Sequence, residues 1–256
     1  MEKFKVNREK INQVGQQHLN LVYSQEKFSK YINKSYELES FKSQIEEKKK
    51  SYLYSQREEL VQVLSDQYSQ VKNTGKVQEN IELLKRENTF TVTTGHQLSL
   101  FTGPLYFILK ILHVIKLSEK LKKEFPSQNF VPIYWMATED HDFEEIQTMN
   151  LFGKPFTWYS EQNGPVGRFK LQGLGQVREE IKAMFSNHPD ADINSLIETY
   201  HGENLADATR NLVHELFKKY GLIIIDADNT KLKKMFAPTI KKELLESFSF
   251  NAVEET

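Results

Sequence analysis

Cysteine is absent from this chain of 256 residues. Disulfide bonds, thiolate nucleophiles and zinc sites with thiolate ligands are therefore excluded. The first ten residues are charged and have no apolar signal core, and no run approaches the roughly 18 apolar residues of a membrane span. We expect a cytoplasmic protein that has no membrane partner.

A surplus of charge of either sign is also absent. The chain has 34 Lys and Arg against 35 Asp and Glu, which gives a formal net charge of -1. Neither a basic face nor a basic tail stands out, so the composition offers no electrostatic case for a nucleic-acid partner. The length suffices for one large domain or two small ones with a sizeable core.

Proline is missing from the first 88 residues, and only two glycines occur there, Gly15 and Gly75. Apolar residues in this stretch recur at steps of three and four, which is typical of amphipathic helices. We expect residues 1–88 to form a helical segment packed on the core, and residues 89–256 to form the main domain. The alternative for the helical segment is a docking surface for another chain.

The stretch Thr93-Thr94-Gly95-His96 lies at the centre of a pattern of strand, turn and helix. The pattern predicts a strand from Phe90 to Thr93, a tight turn at Gly95, and a helix from Leu105 to Leu121 that is buried on more than one face. His96 would then lie at the carboxyl end of a strand, near helix N–H groups that attract anions.

Further apolar runs predict strands at Val131–Trp135 and Leu222–Ile225. A strand, a long helix and a second strand form a right-handed βαβ unit, and strands buried on both faces are typical of parallel sheets. We therefore predict one parallel sheet of three strands, with the 105–121 helix packed on it. Shorter strands are predicted at residues 153–159 and 167–171.

The run Glu139-Asp140-His141-Asp142-Phe143-Glu144-Glu145 places five carboxylates and one imidazole within seven residues. An acidic helix N-terminus, with Asp140 or Asp142 as cap, would account for part of it. For Asp140, His141 and Asp142 we expect a role in a site: binding a substrate amine, acting as its general base, or holding Mg²⁺ beside a nucleotide. The sequence leaves these three roles open.

Three other charged residues have two interpretations each. Arg168 could hold an anionic substrate group or form a surface salt bridge. Asp226 and Asp228 directly follow a predicted strand, where carboxylates often bind ligands but also form turns.

Two long strings of the sequence carry a specific resemblance. They are Thr93-Thr94-Gly95-His96-Gln97-Leu98-Ser99-Leu100-Phe101-Thr102-Gly103-Pro104-Leu105-Tyr106-Phe107 and Val131-Pro132-Ile133-Tyr134-Trp135-Met136-Ala137-Thr138-Glu139-Asp140-His141-Asp142-Phe143-Glu144-Glu145-Ile146. The shorter Thr-x-Gly-His pattern in the first string is similar to the phosphate-handling signature of nucleotidyltransferases and class I aminoacyl-tRNA synthetases. Together the two strings resemble the bacillithiol-biosynthesis cysteine-adding enzyme family. The resemblance continues through Val166-Gly167-Arg168 and from Leu212 to Lys234, and so covers most of the chain.

This resemblance implies an α/β fold with a Rossmann-like, nucleotidyltransferase-type parallel sheet core and a helical N-terminal segment. It implies a ligase that joins cysteine to glucosaminyl-malate in the last step of bacillithiol synthesis, with ATP or ADP, and Mg²⁺, as cofactors. Amide formation needs an activated carboxylate, and an adenylate and an acyl phosphate both remain open. The full-length enzyme is expected to be a homodimer with a C-terminal coiled coil.

Residue roles carry over from the similar nucleotidyltransferases, in which the histidine of the motif supports charge on the phosphoryl group. His96 would have this catalytic role, and a core histidine bonded to a carbonyl is the alternative. Asp140, His141 and Asp142 are the other candidate catalytic residues. The cofactor-binding candidates are Thr93, Thr94, Gly95, His96 and Gln97.

Family members are much longer than this chain, so we expect it to be an amino-terminal part that is not a competent ligase alone. The sheet should keep an exposed edge at Leu222–Ile225 unless the helix from Lys231 covers it. Two other functions remain as alternatives. One is a metal-assisted hydrolase built on Asp140, His141 and Asp142, and the other is a non-catalytic nucleotide-binding or helical interaction module.

Overall fold

The computed structural model describes residues 32–35, 37–186 and 191–254. The chain divides into two compact units, Met1–Tyr52 and Leu53–Thr256. The described part of the first unit contains helix α1, Ser40–Ser51, in which Ile45 is buried. The expected division at residue 88 into a helical segment and a nucleotide-binding domain stays a prediction, and its residues 1–31 lie outside the described ones.

The second unit alternates helices and strands, and none of its described helices is long and apolar enough to cross a membrane. Short 3-10 turns lie at Leu100–Thr102, Val166–Arg168 and Lys218–Tyr220. In chain order the other elements are α2 (Tyr54–Gln67), α3 (Gly75–Leu83), β1 (Thr89–His96), α4 (Leu105–Glu124), β2 (Asn129–Met136), α5 (Phe143–Ile146), β3 (Thr148–Leu151), β4 (Lys154–Thr157), α6 (Leu174–Met184), α7 (Ala191–Glu198), α8 (Leu205–Phe217), β5 (Ile223–Asp226), α9 (Thr230–Glu246) and α10 (Phe248–Glu254).

The main sheet contains the three predicted strands in the order β1-β2-β5. Both pairings are parallel: Thr94 lies opposite Tyr134, and Tyr134 lies opposite Ile224. The prediction of one parallel sheet is therefore confirmed. The observed β1 and β2 are longer than predicted, and β5 is shifted one residue toward the C-terminus.

The two faces of the sheet pack against different helices, because alternate residues of a strand point to opposite faces. On one face, Tyr134 and Ile224 join the core that includes Phe107 and Ile111 of α4. This confirms the predicted packing of that helix on the sheet. The core on the other face joins strand residues with residues of α2 and α3, namely Val131, Ile133, Ile223 and Ile225 with Val61, Leu64, Val77 and Ile81.

Helix α4 is buried along one face only. Its outer residues Leu105, Tyr106 and Leu109 are 71%, 53% and 54% exposed. The prediction of burial on more than one face is wrong, because the apolar run is wider than the stripe that meets the sheet. The buried residues are Phe107, Ile111, Val114, Ile115, Ser118 and Leu121.

The turn between β1 and α4 comes later than predicted. Gly95 lies inside β1, opposite Trp135. The chain instead reverses at residues 101–103, where φ is 47°, 77° and 58°. Glycine adopts positive φ at little cost because it has no Cβ, and a Cβ on Gly103 would lie 2.4 Å from Cβ of Ser99. Gly103, rather than Gly95, is the glycine that this turn requires.

The predicted strand at residues 153–159 is observed as β4, but its partner is β3 and not a strand at residues 167–171. β3 and β4 pair antiparallel on either side of Phe152 and Gly153, whose φ values are 51° and 79°. The predicted strand at residues 167–171 is wrong, since Val166–Arg168 form a 3-10 turn. The N–H of Gly167 donates to the carbonyl of Thr138 at 3.0 Å, so this segment is bonded to the loop after β2 and not to a partner strand.

The outer edge of β5 is covered by side chains from the end of α2. The hydroxyl of Tyr68 accepts a hydrogen bond from the N–H of Ile224 at 2.8 Å. The Gln67 amide accepts from the N–H of Asp226 at 3.0 Å and donates to its carbonyl at 2.8 Å. The expected exposed edge is therefore closed by α2 and not by the helix that follows Lys231, because these side chains replace a neighbouring strand.

Candidate active site

Three loops meet at the carboxyl edge of the main sheet, which is where open α/β folds bind ligands. The loop after β1 carries Gln97, the loop after β2 carries Asp140, and the loop after β5 carries Asp228. Each loop follows a strand of the same parallel sheet, so the candidate residues of both long motifs lie at one edge.

The Gln97 side chain joins the loops after β1 and β2. Its Nε2 donates to Oδ2 of Asp140 at 3.0 Å and to Oε2 of Glu145 at 2.7 Å. The backbone connects the same loops, since the N–H of Ala137 donates to the carbonyl of His96 at 3.1 Å. The structure therefore places Gln97 and Asp140 in contact. Gln97 was predicted as a cofactor ligand, and that role stays a prediction, whereas the bond from its side-chain amide to Asp140 was not predicted.

His96, the last residue of β1, is 9% exposed. Its Nδ1 lies 2.9 Å from the carbonyl oxygen of Gln97. Because that oxygen can only accept, Nδ1 carries the proton, and Nε2 of the neutral ring keeps its lone pair. Nε2 is buried and has no partner among the described residues. Burial is the main cause of a lowered pKa of His96, and the charge of Lys110 lowers it further.

The ring of His96 packs against the beginning of α4. Its centroid lies 5.0 Å from that of Tyr106 and 4.9 Å from that of Phe107. One turn later, Nζ of Lys110 donates to the carbonyl of Gly95 at 2.5 Å and lies 5.6 Å from the Tyr106 ring centre. Lys110 was not among the predicted site residues. Its spacing of four residues from Tyr106 on the predicted helix indicates that these two side chains are neighbours, but it does not indicate that the ammonium reaches the Gly95 carbonyl.

Asp140 and Asp142 have different positions within the acidic run. Oδ1 of Asp140 accepts the N–H of Asp142 at 3.0 Å. This bond, and then the Gln97 amide, lower the pKa of the Asp140 carboxyl against the opposing effect of its partial burial. Asp142 is the N-cap of α5, where its Oδ1 accepts the N–H of Glu145 at 3.2 Å. Asp140 is thus an ionised carboxylate in a fixed position, and the capping alternative holds for Asp142.

An open depression of about 390 Å³ lies beside Asp140. Asp140 and His141 line this depression, whereas His96 does not. His141 and Asp142 are both exposed. Because His96 and the acidic run follow the two strands of one βαβ unit, the sequence predicts that they surround one ligand, and this stays a prediction. The lining residues are Trp135, Met136, Ala137, Thr138, Glu139, Asp140, His141 and Ala227.

The two candidate threonines of β1 point to opposite faces of the sheet, because side chains alternate along a strand. Thr94 shares its face with His96, whereas Thr93 shares the other face with Gly95. Thr93 and Gly95 are exposed, and Thr94 is half-buried. Their predicted role as cofactor ligands stays a prediction, and only Thr94 lies on the same face as the histidine.

The carboxylates after β5 join this loop to its neighbours. Oδ1 of Asp226 accepts the hydroxyl of Thr138 at 2.5 Å and the N–H of Asp228 at 2.9 Å. Asp228 accepts Nε and Nη2 of Arg168 at 2.5 and 2.8 Å and Nζ of Lys233 at 2.5 Å. The Arg168 guanidinium is the main cause of a lowered pKa of the Asp228 carboxyl, and Lys233 adds to it. Of the two interpretations of Arg168, the structure shows the salt bridge, and its partner is Asp228.

The 166–168 turn supports the loop after β2. The N–H of Val166 donates to the carbonyl of Asp140 at 2.7 Å. A Cβ on Gly167 would lie 2.6 Å from Cβ of Thr138, so the close approach requires glycine. Lys233 also reaches this loop, with Nζ 2.7 Å from Oε1 of Glu139. Neither role was predicted, because no local pattern shows which loop a turn or a lysine will contact.

Metal-ligating side chains are not grouped at this edge. Across residues 32–35, 37–186 and 191–254, no three His, Cys, Asp or Glu side chains are placed to hold one metal ion. Both carboxylate oxygens of Asp140 already accept a hydrogen bond, one from the Asp142 N–H and the other from the Gln97 amide. The expected Mg²⁺ therefore stays a prediction.

The parallel sheet, with helices packed on both of its faces, defines a Rossmann-like α/β domain. The family model described as "Bacillithiol biosynthesis BshC, N-terminal Rossmann-like domain" matches residues 1–256. The chain belongs to this family, which confirms the resemblance and the Rossmann-like α/β fold.

Three relatives illustrate the match, and each is named "Putative cysteine ligase BshC". The protein of Flavobacterium johnsoniae is 50% identical over 222 residues, which are 86% of this chain and 42% of that protein. The protein of Christiangramia forsetii is 44% identical over 245 residues, 93% of this chain and 46% of the relative. The protein of Staphylococcus saprophyticus is 32% identical over 205 residues, and the match covers 72% of this chain and 36% of that protein. The chain spans less than half the length of these relatives.

Proposed function

We propose that this chain supplies the nucleotide-binding part of an ATP-dependent ligase that adds cysteine to glucosaminyl-malate in bacillithiol biosynthesis. Family membership and the names of the relatives support the reaction class. The structural observation that supports it is the hydrogen bond from Gln97 to Asp140 at 3.0 Å. This bond brings the two motifs together beside His96.

The end of β1 has features that suit a phosphate-bearing ligand. The first turn of α4 has no side-chain cap, and although the Phe107 N–H donates to the Pro104 carbonyl at 2.9 Å, a helix N-terminus still favours an anion. Lys110 supplies a positive charge at the same place, and Nε2 of His96 is buried without a partner. When bound there, ATP supplies the activation that a carboxylate needs before it can form an amide.

Asp140 is better suited to binding a substrate amine than to accepting its proton. Its carboxyl pKa is lowered by the Asp142 N–H and the Gln97 amide, and a base works best when its pKa is near the working pH. An ionised carboxylate beside an open depression attracts the ammonium group of an amino acid such as cysteine. His141, which lines the same depression, is the candidate base.

The two alternative functions are not favoured. The hydrolase needs a metal site, and the described residues contain no cluster of three possible ligands. The interaction module explains neither the buried lone pair of His96 nor the fixed position of Asp140.

Joining this chain to the remaining part of the Flavobacterium johnsoniae relative tests the proposal. Incubation with ATP, cysteine and glucosaminyl-malate should yield the cysteinyl product by mass spectrometry. His96→Asn should lower turnover at least about 10-fold, and Asp140→Asn should raise KM for cysteine more than it lowers kcat. Asp192→Asn, an exposed change on α7, is the matched control. Product formation that survives both site variants unchanged would defeat the assignment.

A further inference from the structure

The two tryptophans of the chain lie in opposite surroundings. Trp158 is 1% exposed, and its Nε1 donates to the carbonyl of Gln172 at 2.8 Å. Trp135 lies near the carboxyl end of β2 and is 45% exposed, although its strand neighbours Tyr134 and Met136 are completely buried. Because the carboxyl edge of a parallel sheet is where ligands bind, the Trp135 indole is an aromatic surface that a ligand can contact.

The indole of Trp135 borders the same space as Asp140. Both residues line the depression of about 390 Å³ that follows β2. On β1, the residue opposite Trp135 is Gly95, and on β5 it is Ile225, which is buried. Glycine has no side chain, so β1 places nothing beside the indole at this register position. An aromatic ring and a carboxylate are thus available to one ligand in this depression.

Two polar side chains of the depression are already bonded to other parts of the protein. Thr138 donates its hydroxyl to Asp226 at 2.5 Å, and Glu139 accepts Nζ of Lys233 at 2.7 Å. Asp140 accepts one hydrogen bond at each oxygen, but a carboxylate has about four lone-pair sites. Asp140 can therefore still accept an ammonium group.

We propose that Trp135 is the specificity-determining residue of the amino-acid subsite, where its indole contacts the side chain of the cysteine substrate. This inference rests on the proposed function, in which Asp140 binds the ammonium group of that substrate. The side chain of an α-amino acid is attached to the same carbon as its ammonium group, so the depression that binds one also receives the other.

The chemistry of the indole favours a thiol over a hydroxyl. A thiol behaves as a small, polarisable apolar group, and contact between sulfur and an aromatic ring is favourable. The hydroxyl of serine would lose its water against the ring face without a compensating hydrogen bond, because Thr138 and Glu139 already have partners. Trp135 would thus select cysteine, whereas Asp140 binds the ammonium group that all amino acids share.

Three amino acids that differ only in the group on Cβ test this role: L-cysteine, L-2-aminobutyrate and L-serine carry a thiol, a methyl and a hydroxyl. The protein to use is the joined protein, in which this chain precedes the remaining part of the Flavobacterium johnsoniae relative. Calorimetry should give dissociation constants for cysteine and aminobutyrate that are about 5-fold or more below that for serine.

Variants of Trp135 should change this preference in a graded way. Trp135→Thr keeps a residue that suits a strand and should reduce the preference to less than about 2-fold. Trp135→Phe keeps an aromatic ring and should retain most of it. Tyr159→Thr changes an aromatic residue that is 80% exposed and lies outside this depression. It is the matched control and should leave the preference unchanged.

Tryptophan fluorescence locates the contact without any turnover. Saturating cysteine should change the emission of the joined protein, and the change should be absent in Trp135→Phe, which removes this indole alone. In kinetics, Trp135→Thr should raise KM for cysteine about 5-fold and change kcat by less than about 2-fold, because it removes binding energy and leaves Asp140 and His141 in place. Circular dichroism establishes that each variant is folded. If Trp135→Thr does not fold, Trp135→Phe still tests the contact through its emission.

The outcomes separate the role of Trp135 from the proposed function. A preference that Trp135→Thr leaves unchanged overturns the role, and so does an equal loss of affinity for all three amino acids or cysteine binding without a change in emission. Each of these results leaves the proposed ligase intact if the joined protein forms product. The expected preference without product from ATP, cysteine and glucosaminyl-malate retains the subsite and overturns the reaction. A joined protein that neither binds cysteine at millimolar concentration nor forms product overturns both.

Discussion

Arg168 and Asp228 are 60 residues apart in the sequence and form a two-bond ion pair, with Nε to Oδ2 at 2.5 Å and Nη2 to Oδ1 at 2.8 Å. The Asp228 side chain is 8% exposed and also contacts Nζ of Lys233. The pair holds the loop after β5 against the 166–168 turn, so it shapes the carboxyl edge without being available to a substrate anion.

Arg168→Met should lower the free energy of unfolding measurably, because the Asp228 carboxylate, whose side chain is 8% exposed, would keep only Lys233 as an ion-pair partner. Arg168→Lys should not restore it, because one ammonium cannot make two parallel hydrogen bonds to a carboxylate. Urea unfolding measures both. Lys242→Met, which removes an exposed contact with Glu246 at 4.0 Å, is the control and should have less than half the effect. An Arg168→Lys variant as stable as the parent would contradict the two-bond geometry.

Gly167→Ala should destabilise the carboxyl edge. The new Cβ would lie 2.6 Å from Cβ and 2.9 Å from the carbonyl oxygen of Thr138, and overpacking of this kind costs about 1–3 kcal/mol. Gly175→Ala in α6 is the matched control, since its Cβ would meet nothing within 4 Å and alanine favours a helix. Thermal unfolding of the two variants should therefore shift in opposite directions, and equal shifts would show that the close approach is unimportant.

Tyr68→Phe should cost about 1–3 kcal/mol, because it leaves the buried Ile224 N–H without its acceptor. Burial raises the pKa of the Tyr68 hydroxyl to about 12, so it stays neutral across the ordinary pH range. Urea unfolding measures the decrease in the free energy of unfolding. Tyr54→Phe, at a residue that is 55% exposed, is the control and should leave stability nearly unchanged. Similar stability of both variants would mean that the edge of β5 does not depend on this bond.

Stability should fall as the pH is lowered from neutrality toward 5. His214 is 3% exposed, and Nε2 lies 3.1 Å from the Lys72 carbonyl. Burial is the main cause of its lowered pKa, and Lys218 adds to it. The unfolded chain therefore binds the proton first, so the stabilisation is complete above the unfolded pKa of about 6.5 and is lost as pH falls through the folded pKa.

The loss can approach about 1.4 kcal/mol per pH unit for one such group, and His96, whose pKa is also lowered, acts in the same direction. Urea unfolding between pH 7.5 and 5 measures it. His214→Gln keeps an amide donor for the Lys72 carbonyl and should flatten the dependence. NMR titration of His214 must give a pKa below 6.5, and a value above it would reverse the sign.

The sequence alone predicted the sheet because burial leaves a local pattern. A strand covered on both faces is apolar where it is buried, and the three successive isoleucines of β5 show this without any knowledge of their partners. The long motif strings likewise identified the family. The prediction of a turn at Gly95 was wrong because glycine is compatible with a strand end as well as with a turn. Local sequence does not show that Gly103, and not Gly95, has the positive φ.

The site was predicted only in part. His96 and Asp140 were expected at one edge because both follow strands of one βαβ unit, and the Gln97 bond to Asp140 joins their loops. Side chains alternate along a strand, so Thr93 and Thr94 must point to opposite faces of the sheet. The prediction that both bind one cofactor did not take this alternation into account.

Contacts between distant segments depend on the folded chain. Arg168 with Asp228 and Tyr68 with Ile224 are 60 and 156 residues apart, and no local periodicity records such pairs. A lysine such as Lys110 on a helix has the same sequence signature whether its ammonium reaches solvent or a strand-end carbonyl. The helices and strands could be predicted from local sequence, since hydrophobic burial acts on every few residues. The arrangement of charge at the carboxyl edge depended on the fold, because hydrogen bonds and ion pairs form only between groups that the folded chain has brought within about 3 Å.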